Sequence, residues 1–134
     1  MNAFIIELAD KPGALASVAE AIAQKGINIT GFAGATSGGS GTAILITNDE
    51  AGTRSALATT GSKVREIELV TVGLENKPGA LAEITRKLAD AGINLEASLP
   101  TGMSGNTVHV AFATSDPAKA RQVLGDKVMA GTMG

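Results

Sequence analysis

The chain has 134 residues, with eleven basic and thirteen acidic side chains, a net charge of −2, a single histidine and no cysteine, tryptophan or tyrosine. This balance gives no electrostatic hold on nucleic acid or an anionic membrane, and three phenylalanines are too few for a base-stacking platform. Without cysteine there are no disulfides, thiolate nucleophiles or cysteine-ligated metals. No apolar run reaches the roughly 18 residues of a membrane span. MNAFIIELAD lacks the basic start of a signal peptide, so the expectation is a cytoplasmic protein.

In chain order, Phe4, Ile6 and Leu8 alternate with Ile5 and Glu7, a strand pattern. Asp10, Lys11 and Pro12 follow, and the lost N–H of proline suits a first helical position. Leu15, Val18, Ala19 and Ile22 share one helical face, and Gly26 supplies a left-handed stop. Residues 27–35 and 42–47 read as strands joined by a hairpin connection over TSGGSG, residues 36–41. A weaker helix is expected over 48–58 after capping residues, then a strand over 64–69.

The pattern then recurs. KPGALASVAEAIAQKGINI (Lys11 to Ile29) aligns without a gap on KPGALAEITRKLADAGINL (Lys77 to Leu95), with about half of the positions identical. The same offset sets Phe4, Ile6 and Leu8 on Val70, Val72 and Leu74, and Ile44 and Ile46 on Val110 and Phe112. The later elements are a helix carrying Leu81, Ile84 and Leu88 and stopped by Gly92, then strands over 93–99 and 107–113 joined across 100–106. A helix capped by Asp116 with Pro117 just inside follows, and then a poor final strand, KVMAG, residues 127–131. The order β-α-β-β-α-β, twice, predicts an α+β fold of two ferredoxin-like βαββαβ units, 1–68 and 69–134, each an antiparallel sheet with its helices on one face.

Few residues offer chemistry. His109 sits mid-strand with Val108 and Val110 on the other face, so it meets solvent or a packed interface. No cluster has metal-ligand spacing, and the acidic residues are scattered singly. The expectation is therefore no catalytic residues, no metal, no cofactor and no enzyme. GATSGGSG, residues 34–41, lacks a GK[ST] ending and precedes a strand, so it reads as a flexible hairpin tip rather than a phosphate loop.

The repeated Pro-Gly admits two readings. Proline and glycine at a helix start leave the N–H groups of Gly13, Ala14 and Leu15 open to a carboxylate, or they serve only as turn chemistry. Glycine at the second helical position weakens a helix, which favours the ligand reading. Asn28 and Asn94, each in GIN(I/L), either finish the turn after Gly26 and Gly92 or offer an amide to a zwitterion.

With DKPGALA and GINI in the first copy and NKPGALA and GINL in the second, nearly the whole chain resembles the ACT domain family, small βαββαβ regulatory modules that typically bind amino acids. The resemblance implies a ligand site between paired domains, where the strand–helix loop of one lies near the second-strand start of the other. Carried over, Asp10, Pro12, Gly13 and Asn28 line one half-site, with backbone groups of Ala14 and Leu15. Asn76, Pro78, Gly79 and Asn94 line the other, with Ala80 and Leu81. Some serine-binding members carry histidine where Leu8 and Leu74 stand here, which points to a less polar ligand side chain.

The function so implied is a stand-alone tandem ACT sensor. It is a non-catalytic, amino-acid-binding regulatory protein in amino-acid metabolism, and a homodimer because such small units need surface covered. The alternative is a regulatory subunit that controls an amino-acid-metabolism enzyme through protein contacts and binds no ligand itself.

Overall fold

Strand β1 (Asn2–Ala9) leads into helix α1 (Ala14–Ala23), strands β2 (Ile29–Ser37) and β3 (Ser40–Thr47), and helix α2 (Glu50–Ala58). Next come β4 (Val64–Glu75), α3 (Ala80–Asp90), β5 (Leu95–Ser104), β6 (Thr107–Thr114) and α4 (Pro117–Leu124). This is a computed structural model, and it describes residues 1–129. The chain forms two compact units: one holds Asn2–Ile67, and the other holds Glu68 onward together with Met1.

In the first unit the strands lie in the order β2-β3-β1-β4, with β1 and β2 both antiparallel to β3. The alternation read from sequence sets the inner face. Phe4, Ile6 and Leu45 pack with Val18 and Ile22 of α1 and with Ala56 and Leu57 of α2. In the second unit β6 runs antiparallel to both β4 and β5, and Val70, Val72 and Phe112 pack with Ile84, Leu88, Ala120 and Leu124 of the two helices.

Both long helices end as expected. Gly26 and Gly92 hold φ of +71° and +76°. The N–H groups of Ile27 and Ile93 reach back to the carbonyls of Ile22 and Leu88, at 3.4 and 2.9 Å. Each isoleucine packs with the residue it bonds, as in a Schellman stop. Asp49 and Asp116 cap α2 and α4 by accepting from the N–H groups of Gly52 and Lys119 at 2.9 and 3.0 Å, and Pro117 opens α4.

Several boundaries differ from the sequence expectation. The hairpin tips are two-residue turns, Gly38–Gly39 and Gly105–Asn106, so β2 and β5 extend through most of the segments expected to be loop. Positive φ at both Gly38 and Gly39 gives the backbone twist that a two-residue hairpin needs.

The offset that aligns the copies also changes. Phe4 pairs with Leu45 and Val70 with Phe112, so the counterpart of Phe112 is Leu45, not Ile46. β5 carries an extra irregularity between Pro100 and Gly102 that β2 lacks, and the inserted Thr101 shifts the third strand by one residue.

The fourth strand of the first unit and the first strand of the second are a single run, β4. The poor final strand shrinks to one bridge, Val72 with Val128, after a short 3-10 helix over Gly125–Lys127; Ala130 and Gly131 lie outside the described residues.

Candidate functional site

The two copies of KPGALA build the same loop. The Lys11 N–H donates to the Ala9 carbonyl at 2.9 Å, and the Ala14 N–H to the Lys11 carbonyl at 3.4 Å. Gly13 then turns left-handed at φ +89° and caps α1, its carbonyl taking the Ser17 N–H at 3.0 Å. Lys77, Ala80, Gly79 (φ +87°) and Glu83 repeat every step.

This corrects the sequence reading. Pro12 and Pro78 stand two residues ahead of the helices, not at their first position. Gly13 and Gly79 are caps with positive φ, a conformation that needs glycine whether or not a ligand approaches. Of the amides expected to stand open, those of Ala14 and Ala80 are used in the turn.

Beside the first loop lies a cleft of about 550 Å³. One wall is Leu8 to Pro12 with Ala14 and Leu15; the other is Phe32 to Thr36 of β2, and Gly41 to Ala43 of β3 lie between. Strand register explains why it is open. Across β1, β3 and β2, Phe4 meets Leu45 and Phe32, Ile6 meets Ala43 and Gly34, and Leu8 meets Gly41 and Thr36. Cross-strand partners share a face, so all three rows face the helix side. Beyond the first row the positions on β3 and β2 are Ala43, Gly34, Gly41 and Thr36, too small to fill the space. Phe32 at its edge is 68% exposed. Leu15, expected on the core face, is 43% exposed and forms part of the wall, and its counterpart Leu81 is 53% exposed.

The second loop has different surroundings. The matching rows are Val70–Phe112–Ser98, Val72–Val110–Pro100 and Leu74–Val108–Met103, with valine where the first unit has Ala43 and Gly41. Among the described residues, a gap of about 160 Å³ lies near this loop, bounded by Leu74, Glu75, Lys77, Ala80, Glu83, Ile84 and Lys127.

Charge differs as well. Lys77 pairs with Glu75 at 3.0 Å, and the shared hydrogen bond pulls the Glu75 carboxyl below its usual range and raises the Lys77 ammonium. Ala9 stands where Glu75 would be, and among the described residues neither Asp10 nor Lys11 is in an ion pair. Asn76 is also tied down, its N–H donating to the Asn106 carbonyl at 2.9 Å.

Of the expected site residues, the first cleft gathers Asp10, Pro12, Ala14 and Leu15; Gly13 shapes the loop without lining it. In the second unit only Ala80 borders the gap, while Asn76, Pro78, Gly79 and Leu81 lie exposed at the surface. Asn28 and Asn94 precede β2 and β5 and line neither space. The backbone of Asn28 is clasped by Asn48, which accepts its N–H through Oδ1 at 3.0 Å and donates to its carbonyl at 3.1 Å. Ser115 does the same for Asn94. These bonds use only backbone groups of the two asparagines, and both side chains are exposed. His109 is half-buried on the sheet face away from the helices, opposite Gly73 and Gly102.

Sequence reasoning missed Lys11, Phe32, Gly34, Gly41 and Ala43 as lining residues. The contrast of Ala9 with Glu75 was a legible signal for Lys11. The small residues could not be placed until the register of β3 was known.

A family model described as ACT domain matches residues 3–60 and 69–99. No curated protein matches the sequence at a significant level. Among solved structures, the chain is similar to protein BT0572 from Bacteroides thetaiotaomicron, with 27% identity, a TM-score of 0.79, and coverage of 95% of this chain and 88% of that one. It is also similar in fold to the ligand-free regulatory subunit of aspartate kinase from Thermus thermophilus, with 20% identity, a TM-score of 0.65 and 94% and 91% covered. A structure of aspartokinase alpha and beta subunits matches with 24% identity, a TM-score of 0.64 and 92% and 89% covered.

Proposed function

The chain belongs to the ACT domain family, and from that premise we propose that it is a non-catalytic regulatory protein that binds a small amino acid. The observation that carries this reading is the cleft beside Asp10 to Leu15, about 550 Å³ and walled by apolar side chains with Asp10 and Lys11 among its lining. Ligand pockets commonly run to roughly 300–1,000 Å³, mostly apolar with a few polar groups that fix orientation. An amino acid needs that mixture: a carboxylate for its ammonium, a cation for its carboxylate, and room for its side chain.

Among the described residues no group of His, Cys, Asp and Glu could hold a metal. No helix there is long and apolar enough to cross a membrane. Regulation follows if ligand binding is coupled to assembly, since a ligand shifts an equilibrium only by its different affinity for the two states. The apolar rim formed by Leu15 and Phe32 supports a homodimer in which a second copy covers it. The regulated partner in this reading is a cytoplasmic enzyme of amino-acid metabolism, of the kind that the Thermus thermophilus subunit is named for.

Thermal melting against each of the twenty amino acids tests this. A ligand at 100 times its Kd adds about 2.7 kcal/mol, a rise in Tm of about ten degrees for a chain of this size. Circular dichroism or calorimetry must read it, because the chain has no tryptophan or tyrosine. If no amino acid moves the melt at millimolar concentration, the reading fails.

A further inference from the structure

We infer that the two copies of the repeat have parted in role: the first binds one zwitterionic amino acid with an apolar side chain, and the second binds none. This rests on the amino-acid-binding reading above and names its stoichiometry and ligand class.

Two independent differences carry it. The first is space. At matching rows the first unit has Ala43 with Gly34 and Gly41 with Thr36, while the second has Val110 with Pro100 and Val108 with Met103. The first leaves a cleft of about 550 Å³; among the described residues, a gap of about 160 Å³ borders the second loop on its Glu83–Ile84 side.

The second difference is charge. Lys77 is paired with Glu75 at 3.0 Å on the surface, and Asn76 replaces an acid. The first loop carries Asp10 and Lys11, both lining the cleft and neither in an ion pair among the described residues. Lys11 is placed to take a carboxylate and Asp10 an ammonium. Most of the remaining lining, Leu8, Leu15, Phe32 and the alanines, is apolar, with Thr36 and Thr42 its other polar residues.

Isothermal titration calorimetry on the full chain tests this. The panel is leucine, isoleucine, valine, methionine and phenylalanine against serine, threonine, aspartate and lysine. The expected result is tightest binding by a member of the apolar group, at one site per chain. Gly34→Val puts an isopropyl group into the cleft from an exposed position, where a Cβ meets nothing nearer than the Thr42 carbonyl at 3.4 Å. Gly34→Val and the surface change Lys11→Gln should each weaken binding about tenfold or more. Lys77→Gln should leave it unchanged.

Lys11→Gln keeps the test decisive if Gly34→Val folds poorly. Two equal sites per chain, tightest binding by a charged or hydroxylated amino acid, or equal losses from Lys11→Gln and Lys77→Gln overturns the inference while the general reading stands. No binding by any of the nine overturns the inference, and no shift in the melt with any of the twenty amino acids overturns both.

Discussion

Gly13 and Gly79 show how one residue can obey a sequence rule for a reason other than the expected one. Proline followed by glycine marked the helix start to within two residues. The pattern alone could not tell a second helical position from a cap, because both put glycine near open amides. The φ of +89° at Gly13 decides it. An L side chain in that region costs roughly 1–2 kcal/mol, so Gly13→Ala should lower unfolding stability by that amount in urea. Gly34→Ala, on a strand without positive φ, should change it less.

A second residue-scale effect is electrostatic. Glu66 accepts from Arg54 Nε and Nη2 at 2.8 and 2.9 Å and from Asn2 Nδ2 at 2.7 Å. The Arg54 hydrogen bonds first, then that of Asn2, lower its carboxyl from 4.5 to about 2. A depressed folded pKa means that the unfolded chain takes up the proton first. The stabilisation is therefore full above pH 4.5 and is lost as pH falls toward about 2. Glu66→Gln should flatten that part of an acid-melting curve and leave the pH 6–8 region of the curve level. The exposure of the Arg54 side chain keeps the effect modest and salt-sensitive.

Among the elements, helices and their stops were legible because their signals are local: Gly26, Gly92, Asp49, Asp116 and Pro117 each act within a few residues. Strand register was not. Residues 43–46 are apolar at every position, so the sequence does not fix which of them face the helices, and the repeat reads as unbroken. A single inserted residue, Thr101, moves the third strand by one and exchanges its faces. Thr101 itself shows the local result, since its Oγ1 is buried and finds no partner among the described residues. Replacing a buried, unbonded hydroxyl by a methyl group of the same shape removes a desolvation penalty of about 1–3 kcal/mol. Thr101→Val should therefore melt at or above the wild-type temperature. A clear drop would mean that the hydroxyl has a partner in solution. The candidate site was legible to the same extent: the loop from Asp10 to Leu15 announced itself by repetition, whereas the cleft depends on which small residues of β2 and β3 face the helices.

For the whole molecule, the element order and the two-helix faces follow from periodicity together with local stop signals, and the last strand already reads as poor in KVMAG. Each unit has its own apolar centre, and Ile22 and Leu88 are fully buried at matching places in them. Ile22→Ala and Leu88→Ala should each cost about 2–5 kcal/mol, a large share of the roughly 5–15 kcal/mol that holds a domain folded. Chemical denaturation followed by circular dichroism would read both. Losses under 1 kcal/mol would mean that these positions are not packed as the structure has them.

The continuity of β4 has a practical outcome for anyone who wants to study the halves apart. Its opening residues, 64–67, belong with Asn2–Ile67, and the rest, from Glu68, with the other half. No spacer exists at which a gene could be divided cleanly: scissors placed after Gly61 strip the leading fragment of its edge, and scissors placed after Glu75 rob the trailing one. Two well-behaved fragments would have to overlap, each carrying its own copy of VREIELVTVGLE.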